Sequence, residues 1–159
     1  MARTAETAFS LFTNADMTFP SIVDEKGEET ELSEERYYLL SRSRDRRVRK
    51  EAFDQFYAQY DAHKHVLAAT LGSSVLQDVY GARARNHASC LHAALFADDV
   101  PPTVYDSLIK AVRGGRSTIY RYLELRRKAL KIKDIHMYDT YVPLGSMRRI
   151  RTPYPKAVE

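Results

Sequence analysis

The residues able to do nucleophilic or metal chemistry in this chain of 159 are few: five histidines (His63, His65, His87, His92, His136) and one cysteine, Cys90. His63 and His65 are two residues apart, about 200° around a helix, so an unbroken helix cannot point both at one ion. Surface or interface positions are expected for them. His87 and Cys90 are three apart and can share a face. A thiolate nucleophile, however, needs a base and a group that orients the base. No third group is evident, so Cys90 reads as a buried packing residue. Asp134, His136 and Asp139 lie close in sequence. A carboxylate–histidine pair there is able to bind a metal, and a solvated loop is the reading preferred. The run Arg42, Arg44, Arg46, Arg47, Arg49 and Lys50 is the strongest electrostatic feature. As a phosphate-binding patch it would give steeply salt-dependent binding. Its plainer reading is a solvated helix start pairing with Glu51, Asp54 and the glutamates at 28–35. The second cluster, from Arg113 to Lys133, is read in the same way. Eleven tyrosines and no tryptophan make up most of the aromatic content. Tyr57, Tyr60, Tyr120 and Tyr122 fall on or beside helical stripes, where amphipathic packing is the ordinary role.

Composition limits what can position these residues. The mass of 18.3 kDa allows one ordinary core. With 44% hydrophobic and 29% charged residues, the chain is neither disordered nor collagen-like. Only six glycines and six prolines favour long helices over a loop-rich β design. A lone cysteine excludes an internal disulfide framework and a cysteine-based zinc ribbon. No apolar run approaches the roughly 18 residues of a membrane span. The N-terminal residues lack the apolar core and cleavage signal of a leader. A soluble, cytoplasmic protein is expected, with no membrane partner. The net charge of +4 permits nucleic-acid binding without requiring it, because 21 acidic residues are interspersed with 25 basic ones.

The elements follow from spacing. Residues 5–16 read as the end of a helix or an irregular lead-in. Thr18–Val23 and Glu28–Leu32 are strand-like and flank Asp24-Glu25-Lys26-Gly27, which predicts a hairpin over 17–32 with Pro20 on an edge strand. Ser33 is placed to cap a short helix, Glu34–Leu40. Ser43 is the next candidate cap, with Asp45 near the helix start. From Val48 through Ala52, Phe56, Tyr60, His63, Leu67, Leu71, Val75 and Val79, apolar residues recur at steps of three or four. That predicts one long helix over 44–85, kinked where Gly72 or Gly81 weakens it. Residues 88–96 predict a short helix. Pro102 fits the first turn of another. A second stripe runs from Val104 to Ala129, with Gly114-Gly115 as a kink or a close helix crossing. Residues 135–144 are rich in aromatic and β-branched types and read as extended. Thr152 and Pro153 look like the start of a last helix that is cut short, as in a piece of a longer protein.

The ordered set of these stretches resembles the oligoendopeptidase F group of the thimet-oligopeptidase-like (M3) family of zinc metallopeptidases. Asn14-Ala15-Asp16-Met17-Thr18-Phe19-Pro20 with Asp24-Glu25-Lys26-Gly27-Glu28-Glu29 is similar to the family's hairpin. Asp45-Arg46-Arg47-Val48-Arg49-Lys50-Glu51-Ala52-Phe53 is similar to one of its helices. Val100-Pro101, Val104-Tyr105, Leu108-Ile109, Arg121-Tyr122, Glu124-Leu125-Arg126 and Met137-Tyr138-Asp139, Tyr141-Val142-Pro143-Leu144 continue the series in order.

The resemblance implies a mainly α fold: long antiparallel helices with a small N-terminal β-hairpin, as part of a larger helical peptidase. It implies that 1–86 is the end of the family's N-terminal domain and 87–159 the truncated opening of its catalytic domain. The parent enzyme would hydrolyse short peptides in a closed cavity, with zinc held by His-Glu-x-x-His and a later glutamate. No histidine here is followed by glutamate. No catalytic residue, metal ligand or bound cofactor is therefore expected in this chain, and it should be inactive alone, supplying scaffold and cleft wall. Tyr138 and Tyr141, on the segment entering the catalytic domain, are candidate substrate-binding residues, with core packing the alternative. Apolar helix faces left uncovered should make the chain self-associate. Two rival readings remain at this point: a free-standing helical RNA- or protein-binding adaptor using the Arg42–Lys50 face, and a decayed or truncated gene product persisting as a structural remnant.

Overall fold

The structure is a computed structural model that describes residues 4–145. Helix α1 (Thr4–Leu11) runs into one π turn, Phe12–Asp16. A hairpin follows, β1 (Ser21–Val23) antiparallel to β2 (Glu29–Glu31), with Ile22 opposite Thr30. Then come α2 (Glu34–Leu40), α3 (Arg46–Ala62), α4 (Lys64–Ala84), α5 (Cys90–Phe96), α6 (Pro102–Gly114) and α7 (Arg116–Ala129). The expected mainly helical fold with a small N-terminal hairpin is present.

Local chemistry accounts for the element ends. The Asp24 carboxylate accepts from the Lys26 and Glu28 N–H groups at 2.7 and 3.0 Å, closing the hairpin turn. Gly27 takes φ +87°, a conformation that side chains disfavour. Ser33 caps α2 as expected, accepting from the Arg36 N–H at 3.2 Å. The cap of α3 is Asp45, not Ser43: its carboxylate accepts from the Arg47 N–H at 2.8 Å. Ser43 stands one step outside, accepting from the Asp45 N–H and donating to Glu25. Asp45→Ala should cost about 1 kcal/mol in urea denaturation, while Ser43→Ala should cost less. Helices α4, α5 and α7 are followed by Asn86, Asp99 and Lys131 in left-handed backbone. The next N–H in each case bonds back to the helix, from His87 to Ala82, Val100 to Leu95 and Ile132 to Arg127.

The long helix expected over 44–85 is two helices. The break is at His63 (φ −109°, ψ 15°), not at a glycine. The His63 ring nitrogen Nδ1 lies 2.8 Å from the Gln59 carbonyl, and Phe12 packs edge-on against the ring at 5.1 Å. Apolar periodicity passes through a histidine unchanged, so the stripe hides this corner. The second stripe is likewise divided, at Gly115. Residues 135–144 hold no strand: a 3₁₀ turn, Met137–Asp139, occupies the middle. The Thr152 helix start lies outside the described residues.

Core residues cluster in the first half. Ile22, Leu32, Tyr37, Val48, Ala52 and Phe56 form the buried cluster, the last three spaced by four along one face of α3. The second half is covered far less. Leu71, Leu76 and Tyr80 of α4 and Leu108 and Val112 of α6 are all more than half exposed. The chain's accessible surface is 12,905 Å². A compact monomer of this mass would expose about 8,100 Å².

Candidate functional site

Two of the arginines in the basic run turn inward. Arg49 is buried, and its guanidinium donates to the Tyr138, Ser43 and Arg44 carbonyls and, at 2.8 Å, to the Asp139 carboxylate. Arg46, one helical turn earlier on α3, donates to both Asp139 oxygens at 3.1 and 3.0 Å and to the Asp134 carbonyl. The His136 N–H adds a fourth donor to the carboxylate at 3.1 Å. Asp139 is fully buried, which corrects the solvated-loop reading at that residue, while Asp134 and His136 are exposed as read. From the other side Arg126 of α7 donates to the Asp139 and Val142 carbonyls. Burial pushes the Asp139 carboxyl pKa up, but the hydrogen bonds from Arg46, Arg49 and His136 outweigh it and hold it below the ordinary value.

This hub joins α3 to the 137–142 turn across some ninety residues of sequence. Sequence reasoning passed over it because Asp139 is distant from its partners. A signal did exist: Arg49 sits beside Val48 and three residues before Ala52, on the margin of the apolar face, where a solvated arginine is out of place. The neighbours are also engaged. Arg47 donates to the Val23 and Asp24 carbonyls, strapping the hairpin to α3, and to Glu51. Lys50 pairs with Asp54. The basic run thus serves mainly as internal stitching.

The hub sets the turn beside an aromatic groove. Tyr138 is buried, with its ring parallel to His136 at 5.0 Å, edge-on to Phe53 and under the Arg46 guanidinium at 5.2 Å. Tyr141 is 54% exposed. It lines a groove of about 240 Å³ with Tyr37, Tyr38, Tyr57 and Tyr60 of α2 and α3. Its floor is a stacked column: Phe56 lies on Tyr37 at 4.4 Å, with Phe19 behind Phe56 at 4.9 Å. Of the two tyrosines singled out in the sequence, only Tyr141 presents much of its surface to solvent.

The remaining candidates stay apart. The helix breaks at His63, yet its ring is engaged by Gln59 and Phe12 while His65 is exposed on α4. His87 packs on Phe96 at 5.1 Å. Cys90 is exposed, against the expectation of burial, because it is the first residue of α5, just after the Ser89 cap. The His92 ring nitrogen Nδ1 lies 2.8 Å from the Ser89 hydroxyl, which also accepts from the His92 N–H. Among the described residues, no three histidine, cysteine, aspartate or glutamate side chains converge to hold a metal ion. The residues in hand therefore do not fit a zinc site.

The sequence model for peptidase family M3 matches residues 39–158. The chain is 38% identical over 149 residues to oligopeptidase PepF of Bacillus subtilis, covering 94% of this chain and 22% of that protein. It is 40% identical over 139 residues to group B oligopeptidase PepB of Streptococcus agalactiae, covering 87% and 23%. The chain thus spans less than a quarter of the length of these curated relatives. Among solved structures, oligoendopeptidase-F from Enterococcus faecium superposes with a TM-score of 0.89 at 36% identity, over 91% of this chain and 29% of that one. A putative peptidase from Chlamydophila abortus superposes with a TM-score of 0.90 at 30% identity, over 99% and 26%. With the family model matching residues 39–158, which include the arginine-rich helix and the Tyr138-Asp139 turn, the chain belongs to peptidase family M3.

Proposed function

We propose that this chain supplies scaffold and part of the cleft wall to an oligoendopeptidase F-like zinc metalloendopeptidase acting on short peptides, and that it hydrolyses none by itself. The observation that carries this is a family match over residues 39–158 combined with coverage of only 22–29% of the relatives cited above. The uncovered faces of α4 and α6 agree with it, since Leu71, Leu76, Leu108 and Val112 are each more than half exposed. In the intact enzyme the ion would polarise the scissile carbonyl and activate water. The ligands would come from the His-Glu-x-x-His helix that this sequence lacks. Residues 1–86 would close the N-terminal domain and 87–159 open the catalytic one, with the Asp139 hub tying them together. Tyr141 is the wall residue that meets the peptide, while Tyr138 is packed in the turn beneath the Arg46 guanidinium. Among the described residues no helix is long and apolar enough to cross a membrane.

An internally quenched short peptide incubated with the purified chain and added zinc should show no turnover above a blank. Turnover abolished by a chelator would overturn the proposal. The same exposed faces should draw copies of the chain together. In sedimentation velocity the average coefficient should rise with concentration, and a compact monomer throughout would count against this.

A further inference from the structure

The groove beside Tyr141 has a composition that selects for charge. Five tyrosines line it, and the single ionisable carboxylate on its rim is Glu34. No lysine or arginine is among its lining residues. Glu34 is exposed on the first turn of α2, and no ion pair engages it among the described residues. Burial, and then the neighbouring Tyr57, hold the Tyr37 hydroxyl well above its ordinary pKa, so it stays neutral. Burial and then the Glu34 charge raise the Tyr60 hydroxyl as well. Two of the walls pack against Tyr37. Tyr57 stands edge-on to Tyr37 at 86° and 5.9 Å, and Tyr38 leans on Tyr37 at 5.7 Å.

Tyrosine faces carry negative electrostatic potential, and a cation near them is attracted most when a carboxylate completes the enclosure. The protein already uses this contact twice elsewhere, with Arg46 over Tyr138 and Arg126 over Tyr122. At about 240 Å³ the groove is the size of one side-chain head group, not of a folded domain.

We infer that this groove binds the cationic side chain of a peptide, an arginine guanidinium or lysine ammonium, held among Tyr38, Tyr57 and Tyr141 with Glu34 as counter-ion. The inference deepens the proposed cleft-wall role and rests on it for the class of ligand.

The test is calorimetric titration of the 159-residue chain with two end-blocked short peptides that differ at one central position, arginine against its neutral isostere citrulline. The arginine peptide should bind about tenfold more tightly, and added salt should narrow the difference. Glu34→Gln and Tyr141→Ala, both at exposed positions, should each reduce that preference about five- to tenfold, while Tyr141→Phe should retain most of it. Equal binding of both peptides overturns the cation site but leaves the peptide-wall role standing. Binding of neither overturns both. A preference untouched by Glu34→Gln and Tyr141→Ala places the cation elsewhere and also overturns the inference. Turnover is not read, so failure of the catalytic proposal leaves this result intact.

Discussion

Asp139→Ala should lower the stability of the chain by about 3–5 kcal/mol, the loss expected when one partner leaves a buried ion pair. The carboxylate is fully buried and Arg49 nearly so. Removing it leaves the buried Arg49 charge with only the neutral Tyr138, Ser43 and Arg44 carbonyls as acceptors, away from water, and frees the His136 N–H that holds the 3₁₀ turn. Arg46 is 42% exposed at its side chain and can turn to solvent, so the cost falls on Arg49. Asp139→Asn keeps an acceptor and should cost less. Asp134→Ala should lie within about 0.5 kcal/mol of the parent, since Arg46 contacts only the Asp134 carbonyl. Acid should act on the same group. The folded-state pKa of Asp139 is below its ordinary value, so the unfolded chain binds the proton first as pH falls. The contribution is therefore complete at neutral pH and is lost below about pH 4. Urea midpoints measured from pH 7 downward should fall more steeply for the parent than for Asp139→Asn. Equal slopes, or a loss under 1 kcal/mol in Asp139→Ala, would show that the hub does not hold the turn.

That hub also marks where sequence reading stops. The hairpin, the Ser33 cap and the helix Glu34–Leu40 follow from neighbours within four residues, and all three are present as expected. The Val48-Ala52-Phe56 stripe is buried because helical spacing and burial coincide there. The partner of Arg49 is ninety residues away, and no local pattern encodes such a distance. The corner at His63 depends on Phe12, again from another element. Leu71 and Val75 continue the stripe at the same spacing as the buried residues, yet both are more than half exposed. Periodicity reports which face seeks cover and is silent on whether the cover is in the chain. The groove was half legible: Tyr141 stood out in the sequence, while Glu34 and Tyr57 joined it only once α2 packed on α3.

Phe56→Ala should cost about 3–5 kcal/mol, whereas Leu108→Ala should cost almost nothing. The two residues are both large, apolar and helical, and only their surroundings differ. Phe56 is sandwiched between Phe19 and Tyr37, with Tyr57 edge-on at 5.4 Å. Truncation opens a void that a stacked column cannot collapse to fill, because the rings on either side are fixed by the hairpin and by α2. Leu108 is 62% exposed on α6 and leaves no cavity when shortened. The same contrast should appear in hydrogen exchange, with amides of α3 protected to the global limit and those of α6 and α7 exchanging through local opening. Leu108 and Val112 should instead govern association: replacing both by lysine should lower the weight-average sedimentation coefficient without shifting the urea midpoint. If Leu108→Ala destabilised the chain as much as Phe56→Ala, the stability would not reside in the N-terminal half. The uncovered helices would then have to be packed in solution in a way that the exposed faces of α4 and α6 do not show.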